Sequence, residues 1–149
     1  MEKHSIFKFT RRIAQIQIAS MVKIFLAEDD LDDQELLAEA FHNIDPSIQL
    51  ESFTTGSKFL SHIDSLPDNE IPDMVIVDYN IPEINGADVL RHLDLQERYQ
   101  NIVKLVWSTS NAPLYEESCM AMGATAYLVK PSNIEALQEI AKKMLTYLN

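Results

Sequence analysis

The sequence predicts an α/β protein: a five-stranded parallel sheet flanked by five helices, doubly wound so that both faces of the sheet are covered. Three observations lead there. Short apolar runs rich in Val, Ile and Leu recur along the chain, too brief for helices and without the polar alternation of a half-exposed strand. Each run is followed by a segment with apolar residues at helical spacing. The two kinds of segment alternate five times, which implies crossover connections of the usual right hand.

Val22-Lys23-Ile24-Phe25-Leu26-Ala27 is the first strand, and it runs into the acids of Glu28-Asp29-Asp30-Leu31-Asp32-Asp33. The first helix follows, with Leu36, Leu37, Ala40, Phe41 and Ile44 at helical spacing. Asp32 with Glu35 three residues on reads as a capping box, making Asp32 and Asp33 cap and dipole partners. Ile48 to Phe53 alternates, as a strand near a sheet edge does, and Thr55-Gly56-Ser57 opens a short helix with Phe59, Leu60 and Ile63 inward. A polar loop with Pro67 and Pro72 leads into Met74-Val75-Ile76-Val77, a run buried on both faces that ends on Asp78. Pro82 and Gly86 then punctuate a loop.

Val89, Leu90 and Leu93 mark the third helix, and Ile102 to Trp107 is the fourth strand, closed by Ser108-Thr109-Ser110. The fourth helix covers about Ala112 to Met122, with Gly123 suited to the left-handed residue beyond its end. Thr125 to Val129 is the fifth strand and meets Lys130-Pro131. The last helix is expected from Ser132, capped with Glu135, and turns Ile134, Leu137, Ala141, Met144, Leu145 and Leu148 to one side.

At 149 residues and 46% hydrophobic content the chain is one globular domain, and no apolar run approaches the ~18 residues of a membrane span. Cys119 is the only cysteine, which excludes an internal disulfide and suits a reducing, cytoplasmic setting. Net charge is −11. Of the 12 basic and 23 acidic residues, four basic (Lys3, Lys8, Arg11, Arg12) and one acidic (Glu2) fall in residues 1–20, leaving 8 and 22, a net −14, for residues 21–149. Such a body repels phosphate backbones and is not expected to bind nucleic acid. Residues 1–20 mix basic and apolar residues. Gln15 and Gln17 interrupt them as a signal peptide, and a basic amphipathic membrane helix is the other alternative. They are read as an appendage, with an upstream start codon as one origin, ahead of a domain spanning residues 21–149. The chain stops directly after the last helix, so the expectation is a single-domain protein without an effector domain.

In a parallel sheet the carboxyl ends of the strands lie along one edge, where open α/β sheets place their ligands. Here those ends carry Glu28 and Asp29, then Asp78, Ser108 and Lys130. Carboxylates gathered there repel one another by ~1 to 4 kcal/mol per pair at 4 Å, depending on the local dielectric. A divalent cation resolves the conflict, and oxygen ligands with a partly open shell suit Mg²⁺.

Glu28-Asp29 in FLAEDD, Asp78 in VIVDYNIP with Gly86 eight residues on, Ser108 in VWSTS, and Tyr127 to Pro131 in AYLVKP stand in the right order at the right strand ends. In this the chain resembles the receiver domain of two-component response regulators, whose fold is flavodoxin-like, over about residues 21–149. The resemblance implies that Asp78 accepts a phosphoryl group from a histidine kinase or histidine phosphotransfer protein. Asp29 is then a direct Mg²⁺ ligand, Glu28 acts through water, and Asn80 offers its backbone carbonyl. Lys130 and the Ser108 hydroxyl cancel charge on the phosphoryl oxygens. Switching is expected to move Ser108 toward the phosphoryl group and Tyr127 inward, reshaping the face of helix four, strand five and helix five. That face would signal to a downstream protein and could pair two copies. The family's Lys-Pro bond is cis, and Asn80 and Ser110 stand where phosphoryl lifetime is tuned. EDDLDD ahead of an amphipathic helix gives a narrower likeness to stand-alone regulators paired with phytochrome-type or other hybrid kinases.

Against the receiver pattern that the chain resembles, Thr109 and Trp107 are both larger than the residues usual at their positions. Asp30 reads equally as extra site charge or as a helix-start residue. His4, His42, His62 and His92 show no metal spacing and are taken as surface or structural residues. Two other readings each match part of the pattern. Asp30-Leu31-Asp32 is the Asp-x-Asp of a haloacid-dehalogenase-like phosphatase, but Gln34 stands where Thr or Val is expected and no cap insertion follows. A scaffold that is never phosphorylated would not need Asp78, Asp29 and Lys130 together.

Overall fold

The expected alternation resolves into β1 (Lys23–Ala27), α1 (Leu31–Ile44), β2 (Gln49–Phe53), α2 (Gly56–Ser65), β3 (Met74–Val77), α3 (Gly86–Asp94), β4 (Val103–Ser108), α4 (Pro113–Ala121), β5 (Ala126–Val129) and α5 (Ile134–Thr146), with 3₁₀ turns at Asp68–Glu70 and Glu97–Tyr99. These come from a computed structural model that describes residues 21–148; the basic appendage expected at residues 1–20 lies outside them. The strands form one parallel sheet in the order β2-β1-β3-β4-β5. β2 is an edge strand, as its alternation predicts.

Because successive side chains point to opposite faces, each central strand feeds two cores. Ile24, Leu26, Met74, Ile76, Leu105 and Trp107 pack with Leu37 and Phe41 of α1 and Leu137, Ala141 and Met144 of α5. Phe25, Ala27, Val75 and Val77 pack on the other face with Phe59 and Ile63 of α2 and Val89 and Leu93 of α3. A smaller cluster joins Leu90, Val106, Cys119 and Ala124 under α4. Gly123 takes φ +100° just past α4, the left-handed conformation expected of it.

Helix starts differ from the sequence reading. The α1 cap is Asp30, whose carboxylate accepts from the N–H groups of Asp32 and Asp33, so no capping box forms on Asp32. The reason is that β1 ends at Ala27 and the turn is short: the helix begins at Leu31, and Asp30 is the last extended residue. In the same way α5 is capped by Asn133, which accepts from Ala136 N–H, rather than by Ser132. Ile134 then falls in the first helical turn and is exposed, as is Leu36 of α1, where the stripes predicted both inward. All described peptide bonds are trans, Lys130–Pro131 included, in place of the expected cis bond. Lys130 N–H donates to Ser108 O at 2.7 Å, which extends the parallel pairing and delivers the lysine to the sheet edge from a trans backbone.

Candidate functional site

The carboxyl edge gathers its charged residues around β1 and β3, where the strand order reverses and a crevice is expected. Asp78 follows β3 directly; its N–H donates to Ala27 O at 3.0 Å, continuing the sheet. Its side chain is therefore held rigidly at the edge, 8% exposed. The Asn80 N–H donates to Asp78 Oδ1 at 3.1 Å. The loop that follows is closed by Gly86, whose N–H donates to Tyr79 O at 2.9 Å. A Cβ on Gly86 would lie 2.7 Å from Asp78 O and 2.8 Å from Tyr79 Cα, so only glycine lets α3 begin this close to the Asp78 backbone. Beyond the loop, the Tyr79 ring stacks on Tyr115 of α4, centroids 4.5 Å apart.

Glu28 is fully buried, and one of its oxygens accepts from Asp30 N–H at 3.1 Å. Oxygens of Glu28, Asp29 and Asp78 all lie within 4.8 Å of one another. Lys130 crosses to them from the end of β5. Its Nζ donates to Glu28 Oε1, to Asp33 Oδ2 at 2.9 Å and to Asp78 Oδ2 at 3.2 Å. One ammonium thus serves three carboxylates, with Asp29 as a fourth acid nearby. Burial, with the Asp78 charge adding to it, pushes the Glu28 carboxyl up to about 7, while the Lys130 and Asp30 hydrogen bonds pull it the other way. Burial opposes the Lys130 ammonium, but the bonds to Glu28 and Asp33 and the field of Asp78 outweigh it and raise its pKa above the ordinary lysine value.

Ser108 ends β4 fully buried, and its hydroxyl accepts from Ser110 N–H at 3.3 Å. Tyr127 is half-buried on β5 and donates to Ser110 O at 2.6 Å, which ties the two expected switch positions to one short segment. Thr109 between them is exposed.

The convergence of Glu28, Asp29, Asp78 and Lys130 is as the parallel topology predicts. Asp33 is the residue the sequence reading missed. It sits in the first turn of α1, where side chains lean back toward the helix N-terminus and so toward the sheet edge. The signal available was the second acidic pair of EDDLDD. Asp30, by contrast, is spent on the cap and exposed, which leaves it unlike the nucleophile of a phosphatase.

The profile of the response regulator receiver domain matches residues 24–142. The chain belongs to this family. Receivers are the phosphoaccepting domains of two-component signalling and not classical enzymes. Among curated relatives, the receiver is 31% identical to the DNA-binding transcriptional activator EvgA of Escherichia coli K12 over 123 residues, 78% of this chain and 57% of EvgA. It is 23% identical to the two-component response regulator ORR4 of Oryza sativa subsp. indica over 146 residues, 87% of this chain and 62% of ORR4. The chain therefore spans less than two thirds of the length of either. Among solved structures, the phosphorylated cyanobacterial phytochrome response regulator RcpA shares the fold with TM-score 0.79 at 23% identity, covering 87% of this chain and 94% of RcpA. A response regulator in red light signaling of R. palustris gives TM-score 0.75 at 28% identity, covering 85% and 92%. No helix among the described residues is long and apolar enough to cross a membrane.

Proposed function

We propose that this receiver takes a phosphoryl group on Asp78 from a histidine kinase or histidine phosphotransfer protein and passes the signal on through protein contacts. The observation that carries the reading is the placement of Asp78. Its backbone, like that of Glu28, is paired at the sheet edge and its side chain meets the Lys130 ammonium at 3.2 Å, but where Glu28 is sealed in the interior Asp78 keeps an opening to solvent, within ligand distance of Glu28 and Asp29.

In the transfer, an Asp78 oxygen attacks phosphorus, the O–P bond forms as the P–N bond to the donor histidine breaks, and the electron pair leaves on the imidazole, which takes up a proton. Lys130 releases its bond to Asp78 and meets a phosphoryl oxygen, and the Ser108 hydroxyl turns from Ser110 N–H to another. The oxygen-only donors Glu28, Asp29 and Asp78, with Asn80 through its backbone carbonyl, suit Mg²⁺, which when bound supplies further charge cancellation on the transferring group. Four acids against one lysine favour such a cation. Once Ser108 moves, the Ser110 segment that holds Tyr127 moves with it, and Tyr127 turns inward. The surface it changes, α4 with β5 and α5, exposes Leu114, Tyr115, Met120 and Val129 for a downstream partner or a second copy. The R. palustris relative belongs to red light signaling, which favours a phytochrome-type or other hybrid kinase as donor, and the lone Cys119 suits a reducing, cytoplasmic setting.

Incubation with Mg²⁺ and acetyl phosphate or phosphoramidate, followed by intact mass, tests the reading. One phosphoryl adduct is expected on the wild type and none on Asp78→Asn. Steady phosphate release that depends on Asp30 would instead favour the phosphatase, and no adduct with either donor the scaffold.

A further inference from the structure

Trp107, the penultimate residue of β4, is 2% exposed and packs in the core between the sheet, α1 and α5. A leucine there would fill an apolar layer and leave nothing unsatisfied. The indole instead brings an Nε1–H that is buried without a hydrogen-bond partner, a cost that packing does not explain. What the indole offers in return is its face: Lys130 Nζ lies 4.9 Å from the ring centroid. Trp presents the strongest π surface to a cation, and the attraction grows where water is excluded.

Lys130 has a reason to need such a contact. Its three ammonium protons are matched by Glu28, Asp33 and Asp78. Its side chain also borders a crevice of about 120 Å³ between α1 and the start of α5, lined by Asp33, Leu36, Trp107, Pro131 and Leu137. If the bond to Asp78 opens, the Asp33 carboxylate draws the flexible lysine toward that crevice, away from the acceptor. We propose that Trp107 is a positioning residue for Lys130. The indole face holds the ammonium at the sheet edge by a contact that uses none of its protons, so that Lys130 can exchange a carboxylate oxygen for a phosphoryl oxygen without leaving the site. The exchange rests on the phosphoacceptor reading above; the placement of the ammonium does not.

Trp107→Phe and Trp107→Leu separate this role from packing. Both side chains are smaller than indole and close in size to each other, so a filler role predicts similar losses for the two. The ring role predicts that Phe rescues. In NMR spectra of the metal-free protein, the Lys130 side-chain methylene protons nearest the ammonium are expected upfield of ordinary lysine positions through the ring current. They should stay shifted in Trp107→Phe and return to ordinary positions in Trp107→Leu. The rate of adduct formation with phosphoramidate and Mg²⁺ is expected to fall about tenfold in Trp107→Leu and to stay within about twofold of wild type in Trp107→Phe. Should Trp107→Leu fold poorly, Trp107→Met replaces it with the same expectations. Unshifted Lys130 resonances in the wild type, or equal losses in the aromatic and aliphatic variants, would overturn the proposal. A wild type that forms no adduct but shows the shifted resonances would overturn the phosphoacceptor reading and leave the Trp107–Lys130 contact standing.

Discussion

Asp33 and Lys130, 97 residues apart in the chain, meet at 2.9 Å, and through that contact the first turn of α1 is bonded to the end of β5 across the acidic edge. The pair shows how charge is balanced at this edge. One lysine holds Glu28, Asp33 and Asp78 at once, so each acid it serves has only a share of its charge, and the cluster keeps an excess of negative charge that a divalent cation would relieve.

Removing the lysine should expose that imbalance. The Lys130 side chain is 8% exposed and that of Glu28 1% exposed, so Lys130→Met leaves buried acids without their counterion. A loss of about 3 kcal/mol is expected in urea unfolding without divalent ions. Adding Mg²⁺ should recover part of it, since the cation takes over the compensation. A loss unchanged by Mg²⁺ would place the cation elsewhere.

Glu28 makes the balance dependent on pH. Its folded-state pKa of about 7 lies above the ordinary 4.5, so the folded protein holds this proton more tightly than the unfolded chain. The contribution to stability is complete below about 4.5 and is lost as pH rises through 7. Metal-free protein should therefore lose stability between these values, while Mg²⁺ binding, which needs the ionised carboxylate, tightens over the same range. Urea midpoints and calorimetric titration from pH 5.5 to 8.5, about one and a half units either side of 7, check both trends. In Glu28→Gln both slopes should flatten.

Gly86→Ala tests the loop that carries the acceptor. The new Cβ would meet backbone atoms of Asp78 and Tyr79 at 2.7 and 2.8 Å, and backbone cannot step aside as a flexible side chain can. A destabilisation of about 1–3 kcal/mol is expected, with slower adduct formation at Asp78. Thermal unfolding and intact mass measured on the same preparation report the two effects, and a variant unaltered in both would show that the loop is slack.

Trp107 is the only tryptophan, so intrinsic emission reports one place in the molecule. Beryllofluoride with Mg²⁺ mimics the phosphoryl group, and its binding should draw Lys130 and Ser108, the neighbours of the indole, toward the acceptor. A change in emission intensity is expected, without the red shift that exposure would bring. Unchanged emission at saturating reagent counts against local rearrangement there.

The order of strands and helices was legible because it is written in local periodicity: four consecutive apolar residues before Asp78 can bury both faces only as a central strand, and the stripes of α1 and α5 turn their apolar residues onto it. The site was legible to the same depth. Parallel strands bring their carboxyl ends to one edge, so topology alone places Glu28, Asp29, Asp78 and Lys130 together. Caps were less so, because EDDLDD and Lys130-Pro131-Ser132-Asn133 each offer two polar candidates a residue or two apart. The length of the turn, set by where the strand stops pairing, chose Asp30 and Asn133. Partnerships between side chains were decided by tertiary structure alone. That Asp33 faces Lys130, that the indole of Trp107 lies against the same ammonium, and that Tyr79 stacks on Tyr115 depend on how α1, β4 and α4 seat against the sheet. Spacing along a chain fixes which face a residue occupies; which atom it meets there is fixed by packing between elements far apart in sequence.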